Sequence, residues 1–281
     1  MILSGKPVAQ ELCRKTLEAV QQLRLQGTIP TLCIVRIGED PSDLAYERGI
    51  CKRAEQVGVE IRKELLAADT GAEALIDLLH GLNADNTVQG VLLFRPLPKA
   101  LRERQSEIFN ALDPTKDVDG MTDGSAAGVF LGTEQGFAPC TPSACMELLR
   151  YYDIDLCGKR TVVIGRSPVV GKPLSMLLLN RHATVTICHT RTRDLAKVAK
   201  NADLLIACAG SAEMVTEEYI APGAVVLDVG VNWNGEKYVG DVLFEEAEAI
   251  ASAITPVPGG VGAVTTAILL NHTVEAARRL L

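Results

Sequence analysis

Apolar positions along the chain fall into short continuous runs, separated by stretches where they recur every three or four residues. Thr31 to Ile37 reads as a buried strand. Asp43 to Val57 has helical spacing, with an aspartate suited to cap its start. Val59 to Leu65 predicts a second strand, Gly71 to Leu82 a helix, and Val88 to Phe94 a third strand ended by Arg95-Pro96-Leu97-Pro98. This β-α-β-α-β order predicts a parallel sheet covered by helices.

The middle of the chain is less regular. Asp113 to Gly124 is rich in Asp, Gly and Pro and reads as a functional or linking loop. Pro139-Cys140-Thr141-Pro142 precedes a helix over about Ser143 to Tyr152, and a domain boundary is placed here, dividing residues 1–139 from 140–265. The pattern then starts afresh. Arg160 to Ile164 predicts a strand and Val170 to Arg181 a helix after a glycine-containing turn. Thr184 to Cys188, Leu204 to Cys208 and Ala224 to Val229 predict further strands, and Ala263 to Leu281 a final helix. Arg278 and Arg279 suit the negative end of that helix. The expected fold class is therefore α/β, with two α/β domains.

Composition narrows the function. The 281 residues are 47% hydrophobic and 22% charged, which fits a globular chain with sizeable cores. A net charge of −7 argues against nucleic acid or an anionic membrane as partner. The eight cysteines include no Cys-x-x-Cys pair and the four histidines are scattered, so no metal site is expected. Several cysteines lie in apolar runs and read as small buried hydrophobes of a reducing compartment. The start of the chain does not read as a signal peptide, and no run of about 18 uncharged apolar residues is present. The cytoplasm is the expected location.

The turn Gly165-Arg166-Ser167-Pro168-Val169-Val170-Gly171 lies between an apolar strand and a helix. It is a loosened dinucleotide fingerprint: Gly165 permits a tight turn, small residues admit a pyrophosphate, and the helix start offers free N–H groups. Ser167 replaces the usual second glycine and Gly171 is displaced. A purely structural turn is the competing reading. The following strand runs into Cys188-His189-Thr190-Arg191-Thr192-Arg193, with no carboxylate before Asp194. Arg166, Thr190, Arg191 and Arg193 suit a 2′-phosphate, so NADP is preferred and NAD is the alternative. The competing reading makes these arginines a solvated surface.

These residues carry a family pattern. The chain resembles the bifunctional methylenetetrahydrofolate dehydrogenase/methenyltetrahydrofolate cyclohydrolase family along almost its full length. The resemblance rests on residues 163–173, His189 with the strand before it, residues 223–230, Gly240-Asp241-Val242 and residues 255–262. Lys116-Asp117-Val118-Asp119-Gly120 and Pro139-Cys140-Thr141-Pro142 add to it. It implies a homodimer of two-domain subunits, NADP on the second, Rossmann-type domain and a folate cleft between the domains. It further implies that residues 266–281 return to the first domain. The activity implied is oxidation of methylene- to methenyl-tetrahydrofolate, followed by hydrolysis to formyl-tetrahydrofolate.

The resemblance also assigns residues. Tyr46 orients substrate, Asp119 hydrogen-bonds the pterin ring, and Gly259 and Gly260 lie close to substrate or cofactor. The family's Tyr-x-x-x-Lys pair is broken, because the lysine position is Ile50 in a register fixed by Gly38 and Gly58. Lys52 lies about 240° around the helix from Tyr46, and Arg53 one turn further along on nearly the same face. Arginine stays protonated and is a poor proton shuttle. Weak or absent cyclohydrolase activity is expected. The family's Gln-Leu before Pro-Leu-Pro is Phe94-Arg95, a serine is Asp43, a glycine is Ala144, and Pro-Met is Ala263-Val264. An Asp43–Arg95 pair across the altered pocket is one expectation. A paralogue with another substrate and a silent nucleotide- or folate-binding protein are the alternatives. Bland readings stand beside these: Asp117 and Asp119 as turn residues, Tyr46 as packing, the Gly259-Gly260 segment as a flexible turn, and Cys140 as core.

Overall fold

The computed structural model describes residues 1–281. They form two compact units, Glu11–Cys140 with Thr266–Leu281, and Met1–Gln10 with Thr141–Thr265. The first ten residues thus group apart from the rest of 1–139. The backbone explains it: Leu3 N–H donates to Ile254 and Gly5 N–H to Gly259, both at 2.8 Å.

The chain opens with α1 (Gly5–Leu25), which the pattern reading did not name. Its buried Val8, Leu12, Thr16, Val20 and Leu23 recur at helical spacing. Then follow β1 (Thr31–Ile37), α2 (Pro41–Val57), β2 (Glu60–Leu66), α3 (Ala72–Ala84) and β3 (Gly90–Leu93), in the expected alternation. Their sheet is parallel with order β2-β1-β3. The helix α2 begins earlier than expected. Asp40, not Asp43, caps it by accepting the Ser42 N–H at 2.8 Å, and Pro41 stands in its first turn.

Residues 113–122 form no helix or strand, and Asp117 makes a parallel bridge to Val91. The carboxylate of Asp117 accepts the N–H groups of Met121 and Thr122 and the hydroxyl of Ser125, so its role is that of a buried turn organiser. Lys116 donates to the carbonyls of Leu82 and Asp85 at the end of α3, at 2.7 and 2.6 Å. Two short helices, α4 (Gln105–Asn110) and α5 (Asp123–Leu131), complete this part of the chain.

The second unit runs through α6 (Cys140–Tyr151), β4 (Arg160–Ile164), α7 (Gly171–Leu179), β5 (Thr184–Cys188), α8 (Leu195–Ala199), β6 (Leu204–Ala207) and β7 (Val225–Asp228). A hairpin of β8 (Asn232–Trp233) and β9 (Tyr238–Val239), then α9 (Phe244–Ile250) and β10 (Ala253–Ile254), follow. The five-stranded sheet is parallel with order β10-β7-β6-β4-β5. Strand order reverses at β4, whose neighbours are β5 and β6, so the crevice for a ligand opens beyond the carboxyl ends of β4 and β6. The last helix, α10 (Gly262–Arg278), stops short of Leu281. Arg279 lies past its end, donates to the carbonyls of Glu134 and Gly136 at 2.9 Å, and sits 4.3 Å from the Phe137 ring centroid.

Candidate active site

The turn after β4 stands at the reversal point, and its two glycines are required by close approach. Gly165 has φ +135°, and a Cβ there would run into the carbonyl and sulfur of Cys208 at the end of β6. A Cβ on Gly171 would run into the carbonyl of Gly165, so the start of α7 lies directly on the turn. Ser167 differs from the expectation of a bare helix start. Its Oγ accepts the N–H groups of Val170 at 3.0 Å and Gly171 at 3.4 Å, as a cap does. The hydroxyl at the usual second-glycine position therefore serves donors that a glycine would leave open.

The strand register carries the next turn to the same edge. Ile164 pairs with Cys188, and Gly165 N–H donates to Cys188 O at 2.9 Å. The loop after β5 is tied by His189: its N–H donates to Thr192 Oγ1 at 2.9 Å, and its Nδ1 accepts the Arg191 N–H at 3.1 Å. Arg166, Thr190 and Arg191 are all exposed on these adjoining turns. The loops after β6 and β7 are shaped by two buried carboxylates, whose part the sequence reading did not assign. Asp241 accepts from the N–H groups of Ala209, Gly210 and Ser211 and from Asn232 Nδ2, at 2.6–3.0 Å. Asp228 accepts the N–H groups of Gly230, Asp241 and Val242. Burial raises the Asp228 pKa to about 6 against those three bonds.

Gly259 and Gly260 border a cavity of about 370 Å³, together with Asp228, Val231 and Tyr238. Both also have packing reasons. Gly259 has φ +103° and accepts the Gly5 N–H, and a Cβ on Gly260 would meet the carbonyl of Pro256. The turn is thus anchored rather than loose.

In the other unit, β3 and the segment bridged to it bring Arg95 and Asp119 together, as an ion pair from Nη2 to Oδ2. The expected partner Asp43 is not involved; Arg95 reaches Asp119 because Val91 and Asp117 align the two segments in parallel. The Arg95 guanidinium lies 6.0 Å from the Phe109 ring centroid. Phe94 packs on Tyr46 with centroids 5.6 Å apart. Burial raises the Asp119 pKa, opposed by Arg95, and raises the Tyr46 phenol, reinforced by Cys140 and Asp119. Cys140 is buried beside them, with its thiol donating to Val118 O at 3.5 Å, and burial pushes its pKa far up, as for an inert core thiol. Behind this segment His272 meets Val118 O at 2.9 Å, and burial lowers its pKa to about 4.

Ile50 is fully buried on the inner face of α2, in line with Glu47, Ala54 and Val57. Arg53 is near Cys13, and Lys52 is exposed. The cation that faces Tyr46 and Asp119 is Arg95, whose contact with Asp119 the sequence pattern did not indicate.

The comparisons agree with this layout. Residues 3–119 match the catalytic domain of tetrahydrofolate dehydrogenase/cyclohydrolase, and residues 139–281 match the NAD(P)-binding domain of the same enzymes. The bifunctional protein FolD of Carboxydothermus hydrogenoformans is 48% identical over 281 residues, covering 99% of this chain and 97% of that one. FolD of Moorella thermoacetica is 47% identical over 279 residues, covering 99% of each. Among solved structures, bifunctional FolD of Campylobacter jejuni superposes with TM-score 0.96 at 37% identity, covering 100% and 99% of the two chains. The Trypanosoma brucei enzyme, complexed with NADP cofactor and inhibitor, gives 0.91 at 33% identity, covering 100% and 98%. With both domains matched in order and relatives this similar along the whole length, the chain belongs to the tetrahydrofolate dehydrogenase/cyclohydrolase family.

Proposed function

We propose that this protein oxidises 5,10-methylenetetrahydrofolate to 5,10-methenyltetrahydrofolate with NADP, and hydrolyses the methenyl compound weakly or not at all. The observation that carries this reading is a contrast. The turn at the strand reversal keeps its two required glycines, whereas the position that should hold a base next to Tyr46 is a buried isoleucine.

The turn suits the cofactor, since the close approaches at Gly165 and Gly171 bring the start of α7 against the end of β4 at the strand reversal, where a pyrophosphate is received. Gly165, Ser167 and Gly171 would receive the pyrophosphate, with Arg166, Thr190 and Arg191 at the 2′-phosphate. NADP, when bound, supplies the hydride acceptor. Tyr46 and Asp119 hold the pterin, and Gly259 and Gly260 admit close approach. Loss of a hydride leaves the methenyl cation directly, so this step needs orientation and no proton shuttle. Hydrolysis does need one: water must be deprotonated as it adds to the methenyl carbon. Isoleucine has no group for that. Residues 1–139 with 266–281 are read as the substrate domain and 140–265 as the cofactor domain. The working form is read as a cytoplasmic homodimer; no helix is long and apolar enough to cross a membrane.

The test is an assay with methylenetetrahydrofolate, NADP against NAD, following reduced cofactor and methenyl product separately. Equal appearance of both, with methenyl persisting at its buffer lifetime, is expected. Methenyl lost faster than in buffer overturns the hydrolase half. No cofactor reduction overturns the dehydrogenase half and points to a repurposed or silent site.

A further inference from the structure

We propose that Arg95 is a positioning residue for substrate: by pairing with Asp119 it favours the charged carboxylate and aims it at the paired N–H donors of an aminopyrimidine edge. The inference rests on the reading of Asp119 as the pterin ligand. Arg95 follows β3, Asp119 follows the segment bridged to β3, and the pair closes with both side chains largely shielded, at 23% and 18% exposure. Phe109 lies beneath the guanidinium and limits where it can swing.

An ionised carboxylate has about four acceptor positions. Arg95 takes one through a single nitrogen, and the Cys140 thiol is close enough to donate into the same carboxylate. The Oδ1 atom accepts nothing from Arg95, whose one bond goes to Oδ2. A protonated Asp119 would present an O–H to the paired donors and lose the match, so the ionised form is the binding form.

The surroundings of Asp119 otherwise oppose ionisation. It is buried, and the groups facing it are Asp117 on its own segment, Cys140 at the start of α6 and Tyr46 on α2. Asp117 is a carboxylate, and Cys140 and Tyr46 bring no positive charge. Arg95 alone among the facing groups is a cation. An opposite charge at contact distance lowers a carboxyl pKa by roughly 1–3 units. Without it, the binding form is depleted toward neutral pH.

The test compares Arg95→Leu, Arg95→Lys and the natural protein by calorimetric titration with tetrahydrofolate, and by the pH profile of kcat/KM for methylenetetrahydrofolate. In Arg95→Leu the acid limb of both profiles should move up by about one pH unit or more, with affinity on that limb falling about tenfold. Arg95→Lys should restore most of the loss. On an Asp119→Asn background, Arg95→Leu should change affinity by less than about twofold, since the two act through one carboxylate. If the natural protein binds tetrahydrofolate and turns over, yet the Arg95→Leu profiles superimpose on its own, Arg95 has no such role and the dehydrogenase reading stands. A further loss on the Asp119→Asn background also overturns it. If the natural protein binds no tetrahydrofolate, both readings fall together.

Discussion

Arg36 on β1 and Glu47 on α2 form an ion pair at 2.8 Å with side chains only 5% and 8% exposed, and Lys63 on β2 reaches the other oxygen of Glu47 at 2.7 Å. Three elements of one unit are thus joined through a single carboxylate. Arg36 is the charged position in the otherwise apolar β1, and the helix pattern gave no sign that Glu47 faces inward. Removing one partner leaves an uncompensated buried charge, which costs about 3–5 kcal/mol. Glu47→Gln, which leaves Arg36 buried without its counter-charge, should lower the urea midpoint accordingly, and Arg36→Leu, which leaves Glu47 with Lys63, should lower it less. Arg36→Leu with Glu47→Leu should recover most of the loss, because an apolar pair of suitable size fits a dry site. A double variant as unstable as either single one would refute this.

The same carboxylate sets a pH dependence. Burial pushes the Glu47 pKa up, but Lys63 and Arg36 together hold it below its ordinary value. A depressed folded pKa contributes stability that is present above the unfolded value of about 4.3 and is lost as pH falls through the folded pKa. Asp228 has the opposite sign. Its folded pKa of about 6 exceeds the unfolded value, so its ionisation costs stability as pH rises toward and past 6. Denaturation of the natural protein and Glu47→Gln across pH 3–7 should show the difference between them vanishing at the acid end. A constant difference would show that the effect is packing rather than charge.

Gly165 offers a sharper test of the cofactor turn. A Cβ at this position meets Cys208 and sits at a φ that L-residues avoid. Gly165→Ala should cost about 2 kcal/mol of stability. NADP affinity should fall by at least about tenfold, because the backbone that would receive the pyrophosphate must shift. Thermal unfolding with and without NADP measures both, and undiminished NADP stabilisation in the variant would separate the turn from the cofactor.

Arg191 is the test of cofactor choice. It is exposed on the loop fixed by His189. A charged hydrogen bond to a 2′-phosphate contributes about 1.5–3 kcal/mol. Arg191→Ala should therefore raise KM for NADP by about tenfold or more while leaving KM for NAD nearly unchanged. Equal changes for both cofactors would mean that the residue does not read the 2′ position.

The alternation of runs and periodic stretches was enough to place the parallel strands: the central β1 and β4 are buried apolar runs, and the exposed edge strand β5 is still marked by its β-branched residues. β1, β4 and β5 have the bounds that their apolar runs suggest. Helix ends were less legible, since capping depends on which side chain turns back: Asp40 does so at α2, and Asp43 does not. The long helix α1 was within reach, as its Val8, Leu12, Val20 and Leu23 repeat at helical spacing. The site divides in the same way. Gly165 and Gly171 are visible in sequence because local chain geometry requires them. The Arg95–Asp119 pair is not, because it joins residues 24 apart through alignment of β3 with a loop.

The proposed weakness of the hydrolase step can be tested by putting the family's side chains back. Ile50 is sealed in the core of its unit, and Tyr46 rests against Phe94, which stands where the family has glutamine. Ile50→Lys alone places an ammonium on the buried face of α2, beside a Glu47 carboxylate that Arg36 and Lys63 already hold, and should destabilise the protein on the order of 3 kcal/mol. Methenyltetrahydrofolate should still decay at the buffer rate in that variant, because a lysine held among apolar side chains has no water to activate. Adding Phe94→Gln returns an amide to the side chain that packs on Tyr46, one turn of α2 from position 50. The double variant should show methenyl hydrolysis above buffer with a pH dependence from the new lysine, while cofactor reduction persists. Hydrolysis raised by Ile50→Lys by itself would mean that position 50 is free to turn toward substrate, and that the proposed weakness rests on one residue rather than on the two together.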